Sequence, residues 1–453
     1  MDPSHADSGR RSDLPYYVIA ILVGAITGVI GAVLHLIVDA ALHWPAALRA
    51  SVEVGDLGLL LISGGIAASL GVVAVVLVRN FAPEAGGSGV QEIEGTLEGL
   101  RAVHWRRVLP VKFFGSLCSL GAGFVTGREG PTIHMGASVA QACAEKLKFD
   151  THDSRGLLAA GAAAGLASAF NAPLAAILFV IEETRRQFPY SLKTYTAVMI
   201  ASVTSGLVTE MITGRRPFMF ITVPELPLSL LPAFVGLGLL LGVVGLLFNR
   251  CLIGSMDIAA AVGRRSNYYV VPAVVGFVIG ILLIVRPEAT MGGENLAVSL
   301  MTENLPLATM ALIVVVRFIM TMASYSTNVP GGIFAPILAL ATAIGVLYGL
   351  VLDVFFELPA GAFAAFAIAA MGGLFSSTVR APLVGVVLIA ELTGAYSVLV
   401  PAIITCLLAN VVADALGGKP IYEVLLDRTL HLAGTPRPPE DRIERTMGGW
   451  DAR

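Results

Sequence analysis

The chain has 453 residues, 56% of them hydrophobic and only 13% charged, against roughly 25% charged in ordinary soluble domains. A mean hydropathy of +0.81 marks an integral membrane protein. The formal net charge is −3, and with no basic patch in the chain nothing points to nucleic acid. Cys118, Cys143, Cys251 and Cys406 stand singly in apolar runs, so neither a disulfide framework nor a zinc site follows; no metal or cofactor is implied.

Residues 1–14 are polar and include Arg10 and Arg11. The apolar run from Tyr16 to about Ala41 is too long for a signal-peptide core and lacks a clear cleavage motif. It predicts a retained first transmembrane helix, with the basic residues before it favouring a cytoplasmic N-terminus. Further apolar runs fall near 57–79, 108–126, 131–147, 158–181, 194–213, 227–254, 269–286, 305–325, 333–355, 361–377, 381–391 and 397–416. Several are shorter than the roughly 20 residues of a full span. The 49 glycines and 24 prolines concentrate between them, the pattern of broken helices around a protected cavity. The tail after about Lys419 is too short to fold alone.

Within this pattern Gly127-Arg128-Glu129-Gly130-Pro131 sets an arginine beside a glutamate inside an apolar region. Pro131 is well placed to start a helix over Thr132–Leu147. Glu129 then sits at that helix's N-terminus, where unpaired N–H groups and the macrodipole favour negative charge. The stretch reads as an anion site whose first occupant is the protein's own carboxylate.

An internal repeat is also legible. Val111-Lys112-Phe113 precedes Pro131 by the same distance that Val316-Arg317-Phe318 precedes Pro336. This registers Gly127–Pro131 against Gly332-Ile333-Phe334-Ala335-Pro336. Downstream, Ala172-Pro173-Leu174 with Glu182 matches Ala381-Pro382-Leu383 with Glu391. Duplicated halves with paired broken helices place a substrate site at their interface. Spacing alone leaves parallel and inverted repeats both open.

Four motifs now stand in order: Gly86-Gly87-Ser88-Gly89-Val90 with Glu92-Ile93-Glu94-Gly95, the 127–131 stretch, Gly331-Gly332-Ile333-Phe334-Ala335-Pro336, and Gly417-Gly418-Lys419-Pro420-Ile421-Tyr422. Through them the chain resembles the CLC family of chloride channels and proton-coupled chloride transporters, over about residues 16 to 425. The resemblance implies an all-α polytopic membrane protein, an inverted repeat of many tilted and broken helices. It implies a homodimer with one anion path per subunit, multi-pass in the cell's inner (plasma) membrane with both termini cytoplasmic. The expected organisation is a tail over 1–15, a transmembrane domain over 16–425 with halves near 16–215 and 225–425, and a tail over 426–453.

Carried over residue by residue, the resemblance implies a central anion held by the Ser88 and Tyr422 hydroxyls and the amides of Ile333 and Phe334. The Gly87–Ser88 loop and the amides of Arg128 to Gly130 line the neighbouring positions. Hydroxyls and amides suit a mobile ion better than a full positive charge, because conduction needs weak, multiple sites. Arg128 then fixes the loop and raises the local potential. Glu129 is the expected gate, blocking the path when ionised and swinging away when protonated. The plain structural alternative has it capping the helix or pairing with Arg128.

Glu183, at the end of the run 172–181 and just before Arg185 and Arg186, takes the place of the glutamate that receives cytoplasmic protons in the family's exchangers. An interfacial glutamate paired with Arg185 or Arg186 is the alternative. Glu182 either supports Glu183 or lies at the surface. Lys112 is expected to pair with Glu94 across the fold, or to add to the positive potential of the path as its counterpart Arg317 would; Glu391 is expected to pack at a helix end. Two positions depart from the family pattern: Gln91, where proline is common, and His134, where a neutral polar residue is. The latter carries the idea that its titration shifts the gate.

The expected function is therefore exchange of chloride for protons, coupled through Glu129 and Glu183. A passive chloride channel on the same fold is the alternative, and a fluoride-exporting branch a lesser variant that Ser88 and Tyr422 count against. An intramembrane hydrolase built on Ser88 lacks a histidine with a recognisable partner pattern.

Overall fold

The protein was analysed as a computed structural model that describes residues 13–51, 55–184, 190–214, 219, 221, 223–302, 305–435 and 437. The first half of the chain holds α1 (Leu14–Ala41), α2 (Trp44–Ser51), α3 (Asp56–Phe81), α4 (Val90–Leu97), α5 (Trp105–Gly121), α6 (Glu129–Leu147), α7 (Thr151–Phe170), α8 (Pro173–Glu183) and α9 (Leu192–Thr213). The second holds α10 (Leu231–Arg265), α11 (Val270–Val285), α12 (Glu294–Thr302), α13 (Leu307–Ser326), α14 (Phe334–Asp353), α15 (Ala362–Val379), α16 (Pro382–Thr393), α17 (Leu399–Ala415) and α18 (Ile421–Leu432). Among the described residues, eight helical stretches are long and apolar enough to cross a membrane. Others are the short pieces expected of broken helices: α4 has 8 residues, α8 has 11 and α16 has 12.

Local chemistry sets these boundaries. α8 and α16 each start on a proline that follows an extended alanine, because proline excludes the helical conformation from the residue before it. Asp150 caps α7 by accepting from the Asp153 N–H at 2.7 Å, and Ser191 caps α9 through the Thr194 N–H. At the centre, α6 packs on α7 and α14 on α15. A Cβ at Gly136 would lie 2.1 Å from the Gly161 carbonyl oxygen, so the α6–α7 crossing closes only with glycine there.

The halves are related by a two-fold axis, visible in contacts that return on themselves. α3 and α11 run antiparallel: Ser63 donates to the Gly280 carbonyl at 2.5 Å, and Gly276 and Pro272 lie against Ala67 and Gly71. Gly127 and Gly332 form an isolated antiparallel bridge, each N–H donating to the other's carbonyl at 2.8 and 2.6 Å. Glu182 at the end of α8 accepts from the N–H groups of Leu383 and Val384 at 3.2 and 2.8 Å. Glu391 on α16 returns the contact to Leu174 and Ala175 at 3.1 and 2.6 Å. An axis that makes the membrane-length α3 antiparallel to its partner lies across the helices, so the halves are inverted. Two turns not anticipated from the sequence obey the same symmetry: Pro83-Glu84-Ala85 and Pro287-Glu288-Ala289 each form a 3₁₀ turn.

Both ends of the described chain reach one basic face. Near the N-terminus the Tyr16 hydroxyl donates to the Asp153 carbonyl at 3.0 Å, and Lys193 lies 3.6 Å from Asp13. Near the C-terminus Arg437 donates to Glu98 at 3.0 Å. Arg101, Arg106, Arg107 and Arg155 line a cavity of about 800 Å³ between these points. The helix that carries Tyr422 runs on to Leu432 with Leu426 and Leu430 buried, so the packed structure continues past the expected boundary at 425.

Candidate functional site

The two glycine loops joined by the Gly127–Gly332 bridge place the starts of α6 and α14 side by side. The first amides of each helix have no acceptor within the helix. Glu129 is the first residue of α6 and is fully buried. Its carboxylate fits between the loops: a Cβ would lie 2.0 Å from Oε2 at Gly127 and 3.0 Å from it at Gly332. Thr132 donates to the Glu129 and Arg128 carbonyls at 2.8 and 3.1 Å, and the Arg128 Nε donates to the Ala169 carbonyl at 3.2 Å. Arg128 is thus anchored at the end of α7.

Ser88 meets this centre from the other side. Its loop turns through left-handed Gly87 and Gly89, with φ of 58° and 91°. The Ser88 hydroxyl is so near Gly130 that a Cβ there would lie 2.4 Å from Oγ. Tyr422 is fully buried, and its ring stacks on Phe334 with centroids 6.1 Å apart. Phe334 in turn is held by Phe170, Phe179 and Phe375. The Tyr422 hydroxyl lies in the electrostatic neighbourhood of Ser88, Glu129 and Glu183. The Ser88 and Tyr422 hydroxyls face each other, and neither is bonded to any other described side chain or carbonyl. Two buried hydroxyls that turn only to each other leave hydrogen-bonding capacity that a ligand between them can use. The structure therefore brings Gly87, Ser88, Arg128, Glu129, Gly130, Ile333, Phe334 and Tyr422 to the meeting point of the halves.

A cavity opens toward this centre at each end. On the basic face one of about 970 Å³ is lined by Gly86, Gly87, Tyr325, Asn328, Arg79 and Arg428, among others. The other, of about 390 Å³, is lined by Gly127, Arg128, Asp39 and Glu288, among others.

Glu183 ends α8, half-buried. Its carboxyl is within hydrogen-bonding reach of the Glu94 carboxyl on α4, and such a bond requires that one of the two carry a proton. Arg185 and Arg186 lie outside the described residues. Glu182, by contrast, is committed to the start of α16, and Glu391 to the start of α8.

The expected Lys112–Glu94 pair does not form. Lys112 is buried and its Nζ donates to the carbonyls of Gly87 at 2.7 Å and Ala85 at 3.1 Å. A cation among carbonyls keeps hydrogen bonds without a carboxylate, and here it fixes the Ser88 loop. Arg317 does the same in the other half, donating to the carbonyls of Glu288, Thr290, Met291 and Gly292 at 2.9–3.2 Å. Gln91 accepts from the Gly89 N–H at 3.2 Å, a local brace where the family pattern has proline. His134 is buried with Nδ1 against Gly89, so it touches the Ser88 loop. Sequence reasoning missed Glu94 as the neighbour of Glu183; its only signal was membership of the Glu92–Gly95 motif.

The model of the family described as voltage gated chloride channel matches residues 70–414. The H(+)/Cl(-) exchange transporter ClcA of Vibrio parahaemolyticus is 42% identical over 433 residues, covering 93% of this chain and 91% of that protein. The protein of the same name from Salmonella paratyphi B is 41% identical over 431 residues, covering 93% and 90%. Among solved structures, a slow cyanobacterial Cl-/H+ antiporter superposes with a TM-score of 0.87 at 38% identity, covering 92% of this chain and 98% of that one. Sequence, inverted helical architecture and the geometry at the meeting of the halves agree: this polytopic membrane protein belongs to the voltage-gated chloride channel (CLC) family.

Proposed function

We propose that this protein is a chloride/proton antiporter in which the Glu129 carboxylate and chloride compete for one path. The observation that carries the reading is the placement of that carboxylate, buried between the two glycine loops and beside the facing hydroxyls of Ser88 and Tyr422. While ionised, Glu129 holds the place an anion would take at the paired helix starts. Once protonated it loses that attraction and leaves, and chloride bound by Ser88, Tyr422 and the amides of Ile333 and Phe334 moves through. The Gly87 side of the Ser88 loop and the Arg128–Gly130 amides serve the positions on either side. Each state of Glu129 excludes one substrate, which couples the two fluxes.

Protons reach Glu129 from the Glu183–Glu94 pair. That pair lies near Glu98, which Arg437 holds on the basic face. Glu182 supports the route by holding α8 against α16. By the positive-inside rule the basic face is cytoplasmic, which favours the cytoplasmic side for both ends of the described chain. A homodimer is favoured by α8 and α16, which at about 1.5 Å per residue fall well short of the hydrocarbon core. Leu174 and Leu383 on them are about half exposed, and a second copy covers them. The names of the relatives above support the same transport activity.

The test is reconstitution in liposomes with a chloride gradient, following chloride and external pH together. The gradient should drive protons uphill, and Glu183→Gln should abolish proton movement while chloride continues. Chloride flux without any proton movement in the unmodified protein would make it a passive channel and leave Glu183 as an interfacial charge.

A further inference from the structure

The transport reading uses Ser88 through its hydroxyl, yet the Ser88 amide is already occupied. Its N–H donates to the phenolic oxygen of Tyr325 at 3.3 Å. Tyr325 lies in the last turn of α13, is 2% exposed, and lines the cavity on the basic face together with Gly87. A Cβ at Gly87 would be 3.4 Å from the Tyr325 hydroxyl. The chain just after α13 wraps the same loop, since the Gly331 N–H donates to the Gly87 carbonyl at 3.0 Å. The Tyr325 hydroxyl is also close enough to Tyr422 to interact with it electrostatically. A third hydroxyl therefore stands between the basic-face cavity and the Ser88–Tyr422 pair.

We infer that Tyr325 is the constriction at this end of the path, its oxygen holding the Ser88 N–H in place of an anion. The inference rests on the transport reading above. A neutral phenol accepts one hydrogen bond from the amide and keeps its own O–H to donate. An anion coming from the cavity must first displace the phenolic oxygen from the amide. Tyr325 is thus the uncharged counterpart of Glu129: each sets an oxygen where chloride would be held, one at either side of the Ser88–Tyr422 pair. Because the phenol has no exchangeable charge to couple, it limits the rate at which anions pass without setting the ratio of chloride to protons.

Tyr325→Phe keeps the ring and removes only the oxygen. In liposomes, its chloride flux should rise roughly two- to tenfold, the range expected from releasing one neutral hydrogen bond, with the chloride-to-proton ratio unchanged. Tyr325→Leu, which also removes the oxygen, should be at least as fast. An unchanged or lower flux in correctly assembled Tyr325→Phe would overturn the proposal, since the phenol is then packing or an ordinary ligand. A rise seen in Tyr325→Leu and not in Tyr325→Phe would also overturn it, by assigning the constriction to ring bulk. The two readings fail separately: the proton signal of the unmodified protein decides antiport, and the ratio of chloride fluxes between variants decides Tyr325.

Discussion

Gly130 shows how little room the site leaves at the level of single atoms. Its missing side chain is the space in which the Ser88 hydroxyl sits, and a Cβ would also come within 2.8 Å of the Ser88 carbonyl oxygen. Backbone cannot yield as a flexible side chain does, so Gly130→Ala has to push the Ser88 loop away from α6. Lys112 resists that shift by holding the Gly87 carbonyl. The variant should fold, because the clash is local. It should bind chloride about tenfold or more weakly, the loss that follows from one good contact worth about 1.4 kcal/mol. Calorimetric titration of the purified variant with chloride measures this directly. Unaltered affinity would mean that the Ser88 hydroxyl does not hold the anion.

At the scale of elements, α8 and α16 are fastened end to end by Glu182 and Glu391, each accepting two backbone N–H groups from the other helix. Removing either carboxylate leaves two helix-start donors without that acceptor, at about 1–3 kcal/mol. The contacts share one helix pair, so the Glu182→Ala, Glu391→Ala double variant should lose less than the sum of the singles, by about 0.5 kcal/mol or more. Thermal unfolding in detergent gives the three values; strict additivity would show that the two ends do not act as one unit. The sequence displayed half of this device. The shared proline-to-glutamate spacing was legible because proline fixes where each helix starts, but not that each glutamate serves the opposite half. The meeting of the two glycine loops was legible for the same reason, since glycine and proline dictate backbone conformation locally. Glu94 beside Glu183, and Tyr325 upon Ser88, were not. Both arise where α4 meets α8, and α13 the Ser88 loop, and an isolated tyrosine in an apolar run reads as core until its hydroxyl is located. Lys112 was misjudged for a related reason: a buried cation suggests a carboxylate, and here backbone carbonyls took that part.

Across the whole molecule, the residues gathered at the centre come from both halves of one chain, and cavities from two sides reach toward it. Away from that centre, α8 and α16 and the neighbouring α9 and α17 carry exposed apolar side chains, among them Leu207, Met211, Val400 and Val411. If two copies pair there, each should transport independently of its neighbour. Joining an unmodified copy to a Gly130→Ala copy in one polypeptide separates the possibilities. Independent paths predict a chloride flux midway between that of an unmodified pair and that of a doubly substituted pair, with the chloride-to-proton ratio likewise the average of the two, because a closed two-fold assembly only duplicates what each subunit already contains. A path shared between subunits would lose nearly all flux when one copy is impaired, and a mechanically linked pair would keep the flux but alter the ratio. Measuring both ions on the mixed pair therefore tests whether the inverted repeat within one chain is the complete transport unit.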